Sequence, residues 1–423
     1  MAEQPKQYMC IDLKSFFASV ECVERGLDPM TTRLVVADNE RSDTTICLAV
    51  TPAMKKLGVK NRCRIFEIPK SIDYIKASPR MKKYIEYSAE VYGVYLKYIS
   101  KDDIHVYSID EVFIDATKYL PLYKMTSVEL AEQIRQDILK TTGIPAACGI
   151  GTNLYLAKIA LDITAKKSPD FMGILDEETY RQTLWDHRPL TDFWHIGHGI
   201  ADRLAAYGIY TMRQLAHFPE KTLYKRLGVD AEIYIDHAWG REPTTIEDIK
   251  SYKPKSNSLS TSQILPRGYS FSEGLLIAKE MAEMLCMGLF EKDITARSMT
   301  LTVGYEGRER EFSGGTHKFS EPTNLISEVI KGVERLYPAI TDRKKLVRRI
   351  SICFNNVEKQ LCEQLDFFTD ASAKEKESTK MKAISGIRRK YGKNAILKGR
   401  DLEEFATQRE RNGQIGGHKS GEK

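Results

Sequence analysis

The chain has 423 residues, enough for about two to four domains. Its composition is 42% hydrophobic and 29% charged, which excludes disorder throughout and an integral membrane protein. Eight cysteines are scattered without a C-x-x-C pair, so a zinc site and a disulfide framework are disfavoured and a reducing cytoplasm is expected. The net charge of +6 is uneven, because segment 1–249 carries −3 and segment 250–357 carries +5.

The first half of the chain predicts a mixture of strands and helices, which is typical of an α+β fold. In chain order the predicted elements are strand 8–12, helix 15–25 with Ser15 as its N-cap, strands 33–37 and 45–50, a helical pattern over 79–100, two strand arms over 104–117 with a bend near 108–111, helix 127–141, strand 145–151 and helix 154–165.

The second half changes character twice. Short helical segments broken by glycines fill 176–245, and the polar, basic stretch 250–262 is typical of a linker. An α+β pattern then returns, with the predicted elements helix 273–290, strands 297–305 and 308–313, helix 323–336 and strand 347–354. Beyond residue 369 the chain is highly charged, and partial disorder is expected over 386–418.

Three carboxylates stand in unusual places. Asp12 ends an apolar strand, and Asp110 with Glu111 interrupts an apolar alternation. A carboxylate among core residues is costly unless it is paired or bound to metal. Such oxygen ligands suit Mg²⁺, and two ions about 3.5–4 Å apart could clamp a phosphoryl transfer. On these residues alone, the alternative of ordinary turn acids that face water stays open.

The residues around these acids resemble a known family. Segments 11–21, 107–115 and 148–160 resemble, in order, three motifs of Y-family (DinB/UmuC-type) translesion DNA polymerases, most closely UmuC-like members of Gram-positive bacteria. The resemblance implies a right-hand polymerase with a little-finger domain and a charged C-terminal tail. Its implied divisions are palm 1–31 and 79–175, fingers 32–78, helical thumb 176–245, linker 246–257, little finger 258–357 and tail 358–423.

The resemblance also implies the catalytic residues. Asp12, Asp110 and Glu111 would be the catalytic carboxylates and would hold two Mg²⁺ ions, with the backbone carbonyl of Leu13 as a further ligand. Phe17 matches the bulky steric gate, whose ring leaves no room for the 2′-hydroxyl of a ribonucleotide. Simple packing on a helix face is the alternative for this aromatic residue.

The implied nucleotide-binding residues, besides Phe17, are Phe16, Thr51, Lys55 and Lys166. Lys167 is an alternative to Lys166, because the alignment can slip by one residue. For such lysines an ordinary solvated surface position is the competing interpretation.

Two departures from the family pattern involve three positions. Many relatives have an acid where this chain has Lys14, and many use Tyr and Arg in the fingers where this chain has Pro52 and Lys55. A lysine is a point charge rather than a bidentate fork, so looser triphosphate contacts are expected.

Two regions are expected to hold DNA. The turn that contains Gly197 and Gly199 resembles a helix-hairpin-helix, where the backbone approaches phosphates closely; a plain turn between helices is the alternative. In and before the little finger, the basic excess is interpreted as a template-binding surface. Its candidate residues are Lys253, Lys255, Arg267, Arg297, Arg348 and Arg349.

A short peptide follows the little finger. Gln364-Leu365-Asp366-Phe367-Phe368 resembles the pentapeptide by which bacterial polymerases bind the sliding clamp. Leu and two Phe anchors can fill an apolar groove on the clamp. The alternative is that the two rings fold back on the little finger.

The sequence therefore predicts an error-prone, DNA-templated DNA polymerase in the bacterial cytoplasm, associated with the nucleoid and not with a membrane. Its expected partners are primer-template DNA, dNTPs, the sliding clamp (β subunit) and accessory damage-response proteins. A non-catalytic factor that binds DNA and the clamp is the rival, and a metal-dependent nuclease is a third possibility. The intact acids and the sugar gate argue against the binding factor, and the sugar gate argues against the nuclease.

Overall fold

The computed structural model describes residues 5–40, 42–307, 311–359 and 371–421. The chain divides into two compact units. The first comprises 1–252 together with the C-terminal residues 418–423, and the second comprises 253–417. The α+β multidomain class predicted from the sequence is confirmed in both.

Eight strands of the first unit form two sheets. In chain order they are β1 (Tyr8–Leu13), β2 (Leu34–Val36), β3 (Ala49–Val50), β4 (Ile75–Ala77), β5 (Ile104–Val106), β6 (Glu111–Asp115), β7 (Ala146–Gly151) and β8 (Met172–Leu175). A five-stranded sheet has the order β5-β6-β1-β7-β8, and a small sheet has the order β3-β2-β4. We call the five-stranded sheet and its helices the palm, and the small sheet with its helix the fingers.

Twelve helices accompany these strands. They are α1 (Phe16–Val23), α2 (Pro52–Lys56), α3 (Met81–Tyr95), α4 (Tyr119–Tyr123), α5 (Ser127–Thr142), α6 (Leu154–Ile159), α7 (Glu177–Thr183), α8 (His198–Ala205), α9 (Met212–Ala216), α10 (Glu220–Leu227), α11 (Ala231–Ala238) and α12 (Ile246–Ser251). A π-helical turn, Ala160–Ala165, continues α6. Helices α7 to α11 form the thumb around a separate apolar core.

Strand β1 lies at the centre of the palm. It pairs antiparallel with β6 on one side and β7 on the other. Five of its six residues are buried, and Asp12 is the exception. The palm core packs α1, α3 and α5 against this sheet. The acid at the end of an apolar strand is therefore fixed in position by the best-packed part of the unit.

Two local predictions differ from the structure. Ser15 does not cap α1: its backbone has a φ of +49°, and its side chain makes no capping hydrogen bond. The predicted linker 246–257 contains α12, which begins with a capping box between Thr245 and Asp248. The change of unit after Tyr252 nevertheless falls within that predicted range.

The second unit contains a four-stranded antiparallel sheet with the order β11-β10-β12-β9. Its elements are β9 (Ser258–Tyr269), α13 (Phe271–Glu291), β10 (Ile294–Tyr305), β11 (Phe312–Thr323), α14 (Ile326–Ile340) and β12 (Val347–Lys359). Helices α13 and α14 pack on one face around a core of Leu, Val, Ile and Met. Strand β9 was not predicted, and β11 begins near the end of the short strand predicted at 308–313. We call this sheet with its two helices the little finger.

The tail is ordered over much of its length, which contradicts the expected partial disorder. Helix α15 (Ala371–Tyr391) buries Met381 in the little-finger core, and α16 (Gln408–Asn412) follows after two short 3₁₀ turns. Buried Glu283 on α13 pairs with Lys398 and Arg400 of the tail. The tail thus satisfies acids that the little-finger helix would otherwise expose.

The last described residues belong to the first unit. Lys419 Nζ lies 3.3 Å from Asp38 Oδ1, and the N–H of Lys82 donates to the carbonyl of Ser420 at 3.0 Å. Gly421 has a φ of +86°, and a Cβ there would lie 2.8 Å from Arg80 Cβ. This position therefore requires glycine on both conformational and steric grounds.

Within the described residues, no helix combines the length and apolar character needed to cross a membrane. Seven of the eight cysteines lie in the described part of the chain, and all seven are free thiols. The eighth, Cys362, lies outside it.

Candidate active site and nucleic-acid surfaces

The three predicted carboxylates are brought to one end of the β1–β6 pair. Asp12 and Glu111 are register partners on the two antiparallel strands, so their side chains leave the same face of the sheet. Asp110 directly precedes β6, and its carbonyl accepts a hydrogen bond from the N–H of Leu13 at 2.9 Å. The backbone of Leu13 therefore lies beside Asp110, as its predicted role as a metal ligand requires.

The site disfavours a negative charge on Asp12. Burial raises the pKa of this carboxyl to about 6; the charge of Lys166 opposes the shift, and the charges of Asp110 and Glu111 add to it. Lys166 Nζ lies 3.3 Å from Asp12 Oδ2. A cation that approached the three acids would relieve the same penalty.

Glu111 is buried and held by two groups. Its Oε1 lies 2.6 Å from Lys158 Nζ, and the thiol of Cys10 donates to the same oxygen at 3.1 Å. Burial alone would lower the pKa of Lys158, but its interactions with Cys10, Asp162 and Glu111 outweigh burial and raise the pKa. Sequence reasoning missed Lys158, although it is the one charged residue within the otherwise apolar α6.

Glycines of the third motif explain how α6 comes so close to the sheet. A Cβ on Gly149 would lie 2.2 Å from the carbonyl oxygen of Ala157, and a Cβ on Gly151 would lie 2.3 Å from the backbone nitrogen of Ala157. A Cβ on Gly173 would lie 2.4 Å from the carbonyl oxygen of Ala160. Any side chain at these positions would push the helix, and with it Lys158, away from the acids.

Lysines gather around Asp12. Lys166 contacts Asp12, whereas no contact between Lys167 and the three acids is found in the described part of the chain. Burial, together with the charge of Lys55, lowers the pKa of Lys14 to about 8, and Lys14 Nζ stands 3.6 Å from the centroid of the Phe171 ring. Burial also lowers the pKa of Lys55, although Asp12 opposes the shift. These lysines repel one another, and a bound polyanion would relieve that repulsion.

The fingers motif is only partly presented to a ligand. Lys55 Nζ donates to Ser15 Oγ at 2.9 Å, which places it beside the loop that carries Lys14. Thr51 is fully buried, and its hydroxyl accepts a hydrogen bond from the N–H of Leu34 at 3.2 Å. The expectation that Thr51 offers its hydroxyl to a triphosphate therefore does not fit this structure.

The two aromatic residues of α1 have different environments. Phe16 is only 2% exposed and packs in the palm core, so its ring does not line a pocket. Phe17 is half-buried and stacks on Tyr84 of α3, with ring centroids 4.6 Å apart and planes 19° apart. The hydroxyl of Tyr84 donates to buried Glu21 at 2.8 Å. Tyr84, which sequence reasoning missed, thus gives the Phe17 ring a rigid backing.

The donor set fits a hard divalent cation. Within the described residues, no three His, Cys, Asp or Glu side chains converge closely enough to form a metal site on their own. Mg²⁺ commonly uses only a few carboxylates and takes its other ligands from substrate phosphates and water. Asp12, Asp110, Glu111 and the Leu13 carbonyl are hard oxygen donors of this kind, and the burial penalty on Asp12 favours a cation beside it.

The predicted turn in the thumb lies at the start of α8. Gly197 has a φ of −84° and Gly199 has no positive φ, so neither conformation requires glycine. An added Cβ would meet no atom of the described structure within 4 Å at either position. Open space above both residues is what a close approach of an external backbone would need.

The little finger presents an open sheet face opposite its two helices. This face carries mostly small hydroxyl side chains in three cross-strand rows. The rows are Ser262–Ser351–Thr302, Ser260–Cys353–Thr300 and Ser258–Asn355–Ser298. Two cations share the face. Lys318 on β11 is the register partner of Ser298 on β10, and Arg349 Nε donates to Ser262 Oγ at 3.1 Å.

The arginines predicted to bind DNA are largely engaged within the protein. Arg267 pairs with Glu273 at 2.9 Å, and its guanidinium also lies over the ring of Tyr269. Arg297 pairs with Glu358 at 2.7 Å. Arg348 has a buried Nη1 with no hydrogen-bond partner in the described part of the chain. Arg267 and Arg297 are exposed, but each already has a carboxylate partner within the protein.

The pentapeptide 364–368, which the sequence predicts to bind the sliding clamp, lies outside the described residues. It follows the last described residue of β12 and precedes α15 in the chain.

Comparisons with known proteins agree with the motifs. Two models of the impB/mucB/samB family match: the main one over residues 11–162 and the C-terminal domain of the same family over residues 256–367. UvrX, a Bacillus subtilis (strain 168) protein whose name refers to UV-damage repair, is 32% identical over 98% of this chain and 98% of its own. DNA polymerase IV 2 of the same organism is 29% identical, again over 98% of both chains.

A solved structure supports the fold. A Y-family DNA polymerase chimera of Dbh and Dpo4 superposes with a TM-score of 0.66 at 22% identity, over 84% of this chain and 99% of the other. The chain belongs to the impB/mucB/samB family. The resemblance to Y-family polymerases of Gram-positive bacteria is thereby confirmed.

Proposed function

We propose that the protein is a DNA-templated DNA polymerase of the translesion type, which extends a primer 3′-hydroxyl with dNTPs. One observation carries the proposal: Asp12, Asp110 and Glu111 lie at the same end of the β1–β6 pair, with Lys166 Nζ 3.3 Å from Asp12 Oδ2. Family membership implies dependence on a divalent metal ion, and we assign two Mg²⁺ ions to these acids. Relatives named as a DNA polymerase and for UV-damage repair support the proposed polymerase activity.

The acids are the proposed metal ligands. Asp12, Asp110 and Glu111 would hold the ions together with the carbonyl of Leu13. When bound, such ions supply Lewis-acid stabilisation of the charge that develops on the attacking and leaving oxygens. The part played by the chain is to hold these oxygens rigidly, because β1 and β6 are paired and buried.

The lysines are the proposed triphosphate ligands. Lys166 would donate from its ammonium to phosphate oxygens and so release Asp12 Oδ2, which it contacts at 3.3 Å in this structure. Lys14 and Lys55 would add two further charges. A triphosphate would relieve the repulsion and burial that lower the pKa of both. Lys55, with Pro52, stands where many relatives use Tyr and Arg in the fingers.

The Phe17 ring is the proposed sugar gate. Its stacking on Tyr84 at 4.6 Å keeps it from turning aside when a sugar arrives. A 2′-hydroxyl would therefore collide with a ring that has little freedom to yield.

Template and primer would be held by phosphate contacts. In the thumb, the turn at Gly197 and Gly199 leaves open space for a DNA backbone. In the little finger, the hydroxyl rows with Arg349 and Lys318 form a mildly basic face that can donate to phosphates without reading base sequence. Of the predicted arginines Arg267, Arg297 and Arg348, the first two already have a carboxylate partner and would add less to this binding.

The pentapeptide 364–368 supports binding to the bacterial sliding clamp, as a proposal from sequence alone. Its Leu and two Phe would fill an apolar groove, and its Gln would bond at the rim. Surface plasmon resonance with immobilised clamp tests this, with Phe367→Ala plus Phe368→Ala as the variant. Equal binding by the variant would overturn it.

A primer-extension assay tests the proposed activity. Wild-type protein should extend a primer on a template with dNTPs and Mg²⁺, whereas Asp110→Ala combined with Glu111→Ala should not. Equal extension by both proteins would refute the proposal. DNA binding with no extension by the wild type would instead favour the non-catalytic rival, and degradation of the primer without dNTPs would favour a nuclease.

A further inference from the structure

Five side chains of alternating charge form one continuous chain in the palm. Lys158 Nζ lies 2.6 Å from Glu111 Oε1 and 3.0 Å from Asp162 Oδ2. Lys166 Nζ lies 2.7 Å from Asp162 Oδ1 and 3.3 Å from Asp12 Oδ2. The chain therefore begins at one proposed catalytic acid and ends at another.

The three inner members come from one helical stretch. Lys158, Asp162 and Lys166 follow one another at intervals of four residues, along α6 and the π-helical turn that continues it. Residues at this spacing share one face of a helix. They are the only charged residues between Leu154 and Lys166. One helix face thus delivers two cations and the acid between them to the site.

Lys158 forms a buried ion pair with Glu111. Its side chain is only 8% exposed, and a lysine is almost never so buried unless it is paired. Together with the Cys10 thiol it occupies Glu111 Oε1, and no donor in the described part of the chain contacts Oε2. This arrangement fixes the orientation of the carboxylate and keeps one oxygen available.

Asp162 is committed to Lys166. One of its oxygens takes Lys158 and the other takes Lys166, so it bridges the two ammonium groups. Without this bridge, the Lys166 ammonium would keep only its longer contact of 3.3 Å to Asp12. The side chain of Lys166 is 39% exposed, so without the bridge it could turn into solvent. Asp162 therefore restricts where Lys166 can stand before a nucleotide arrives.

We infer that Lys158 and Asp162 are positioning residues of the polymerase reaction, which act through Glu111 and Lys166. Lys158 orients the third catalytic carboxylate, and Asp162 holds Lys166 where it can reach the triphosphate. This inference rests on the proposed function. Neither residue is expected to touch the substrate, so each should affect the step that its partner serves.

The two roles predict different kinetic signatures. Asp162→Asn keeps the shape and removes the charge, so the Kd for the incoming dNTP should rise by about tenfold or more, as expected for loss of a charge-assisted contact. Lys158→Met keeps the bulk, so it should lower the rate of single-turnover incorporation by about tenfold or more with a much smaller change in that Kd. A residue that served only to stabilise the fold would give neither split.

The dNTP Kd is measured without chemistry, by titrating dNTP into the complex with a dideoxy-terminated primer and a template that carries 2-aminopurine. Asp137→Asn is the matched control. Asp137 lies on α5 of the palm, and the substitution removes an exposed ion pair with Lys97. Circular dichroism and thermal melts check that each protein folds. The control should keep the wild-type Kd and incorporation rate.

An unchanged Kd in folded Asp162→Asn, or an unchanged incorporation rate in folded Lys158→Met, would overturn the inference. Should Lys158→Met fail to fold, Asp162→Asn decides the matter alone. Failure of the proposed function is distinct, because the wild type itself would then incorporate no nucleotide.

Discussion

The palm and the little finger use charge in opposite ways. At the palm site, charged side chains are mostly shielded from solvent and are paired in a definite order, from Glu111 through Lys158 to Asp12. In the little finger they are mostly exposed and neutralise one another, as in the pairs Arg267–Glu273 and Arg297–Glu358. The outward sheet face of the little finger carries mainly hydroxyl groups instead.

This difference indicates how effects should be distributed. A buried charge has few partners and cannot be replaced by water, so one substitution in the palm should matter greatly. A hydrated surface charge contributes little by itself, and many weak contacts share the task of holding DNA. Substitutions in the two regions should therefore differ in size and in the step that they affect.

The largest of three expected effects concerns the sugar gate of the palm. Phe17→Ala should raise ribonucleotide incorporation relative to dNTP incorporation by about ten- to a hundredfold, since a steric clash costs about 1–3 kcal/mol. Steady-state incorporation of paired rNTP and dNTP substrates measures the ratio. Phe17→Tyr keeps the ring and serves as the control with low ribonucleotide use. Unchanged selectivity in Phe17→Ala would place the gate elsewhere.

A second effect concerns stability behind that gate. Glu21 is fully buried and accepts hydrogen bonds from Tyr84 and Arg80. Glu21→Gln should lower the free energy of unfolding of the first unit by about 1–3 kcal/mol at neutral pH, as expected for charge-assisted hydrogen bonds. Urea denaturation, followed by tryptophan fluorescence, measures the difference.

The same variant gives a pH dependence with a definite sign. Burial opposes ionisation of Glu21, but its hydrogen bonds from Arg80, Arg25 and Tyr84 outweigh burial and lower its pKa below 4.5. A lowered pKa stabilises the fold above the unfolded value, and this contribution is lost as the pH falls through the folded value. The gap between wild type and Glu21→Gln should therefore shrink as the pH falls below 4.5. A gap that grew in acid would contradict this assignment.

The smallest effect belongs to the little finger. Arg349→Ala combined with Lys318→Ala should weaken DNA binding only several-fold, and should reduce the slope of log K against log salt by about 2. Arg297→Ala should leave the slope nearly unchanged, because Glu358 already neutralises Arg297 at 2.7 Å. Fluorescence anisotropy over a salt series measures both slopes. A larger loss of DNA affinity with Arg297→Ala would show that Arg297 binds DNA despite its ion pair, and would remove the contrast between the two regions.

The sequence predicted the palm well because its signals are local. An acid at the end of an apolar strand, and a pair of acids inside an apolar alternation, stand out against a buried pattern. Register then brings Asp12 opposite Glu111, as two antiparallel strands in the same sheet allow. The role of the Cys148–Gly151 segment as a close helix contact became clear only from the crowding at its glycines.

Other features were missed for physical reasons. Lys158 and Asp162 resemble ordinary helix charges until the fold places α6 against the acids. The polar stretch 250–262 includes the start of β9, where the outward residues Ser258, Ser260 and Ser262 leave little apolar alternation to detect. The ordered tail was missed because charged residues such as Lys398 bond to an acid buried on another helix. These are tertiary effects that no local pattern encodes.

The central claim is that the acids at the end of β1 and β6 perform nucleotide transfer. Single-turnover incorporation of one dNTP by Asp12→Asn tests it most directly, with the DNA affinity of the same protein measured in parallel. The account predicts unchanged DNA affinity and an incorporation rate lower by about a thousandfold or more, because several kcal/mol of charge stabilisation are lost. Incorporation by folded Asp12→Asn at the wild-type rate would contradict it.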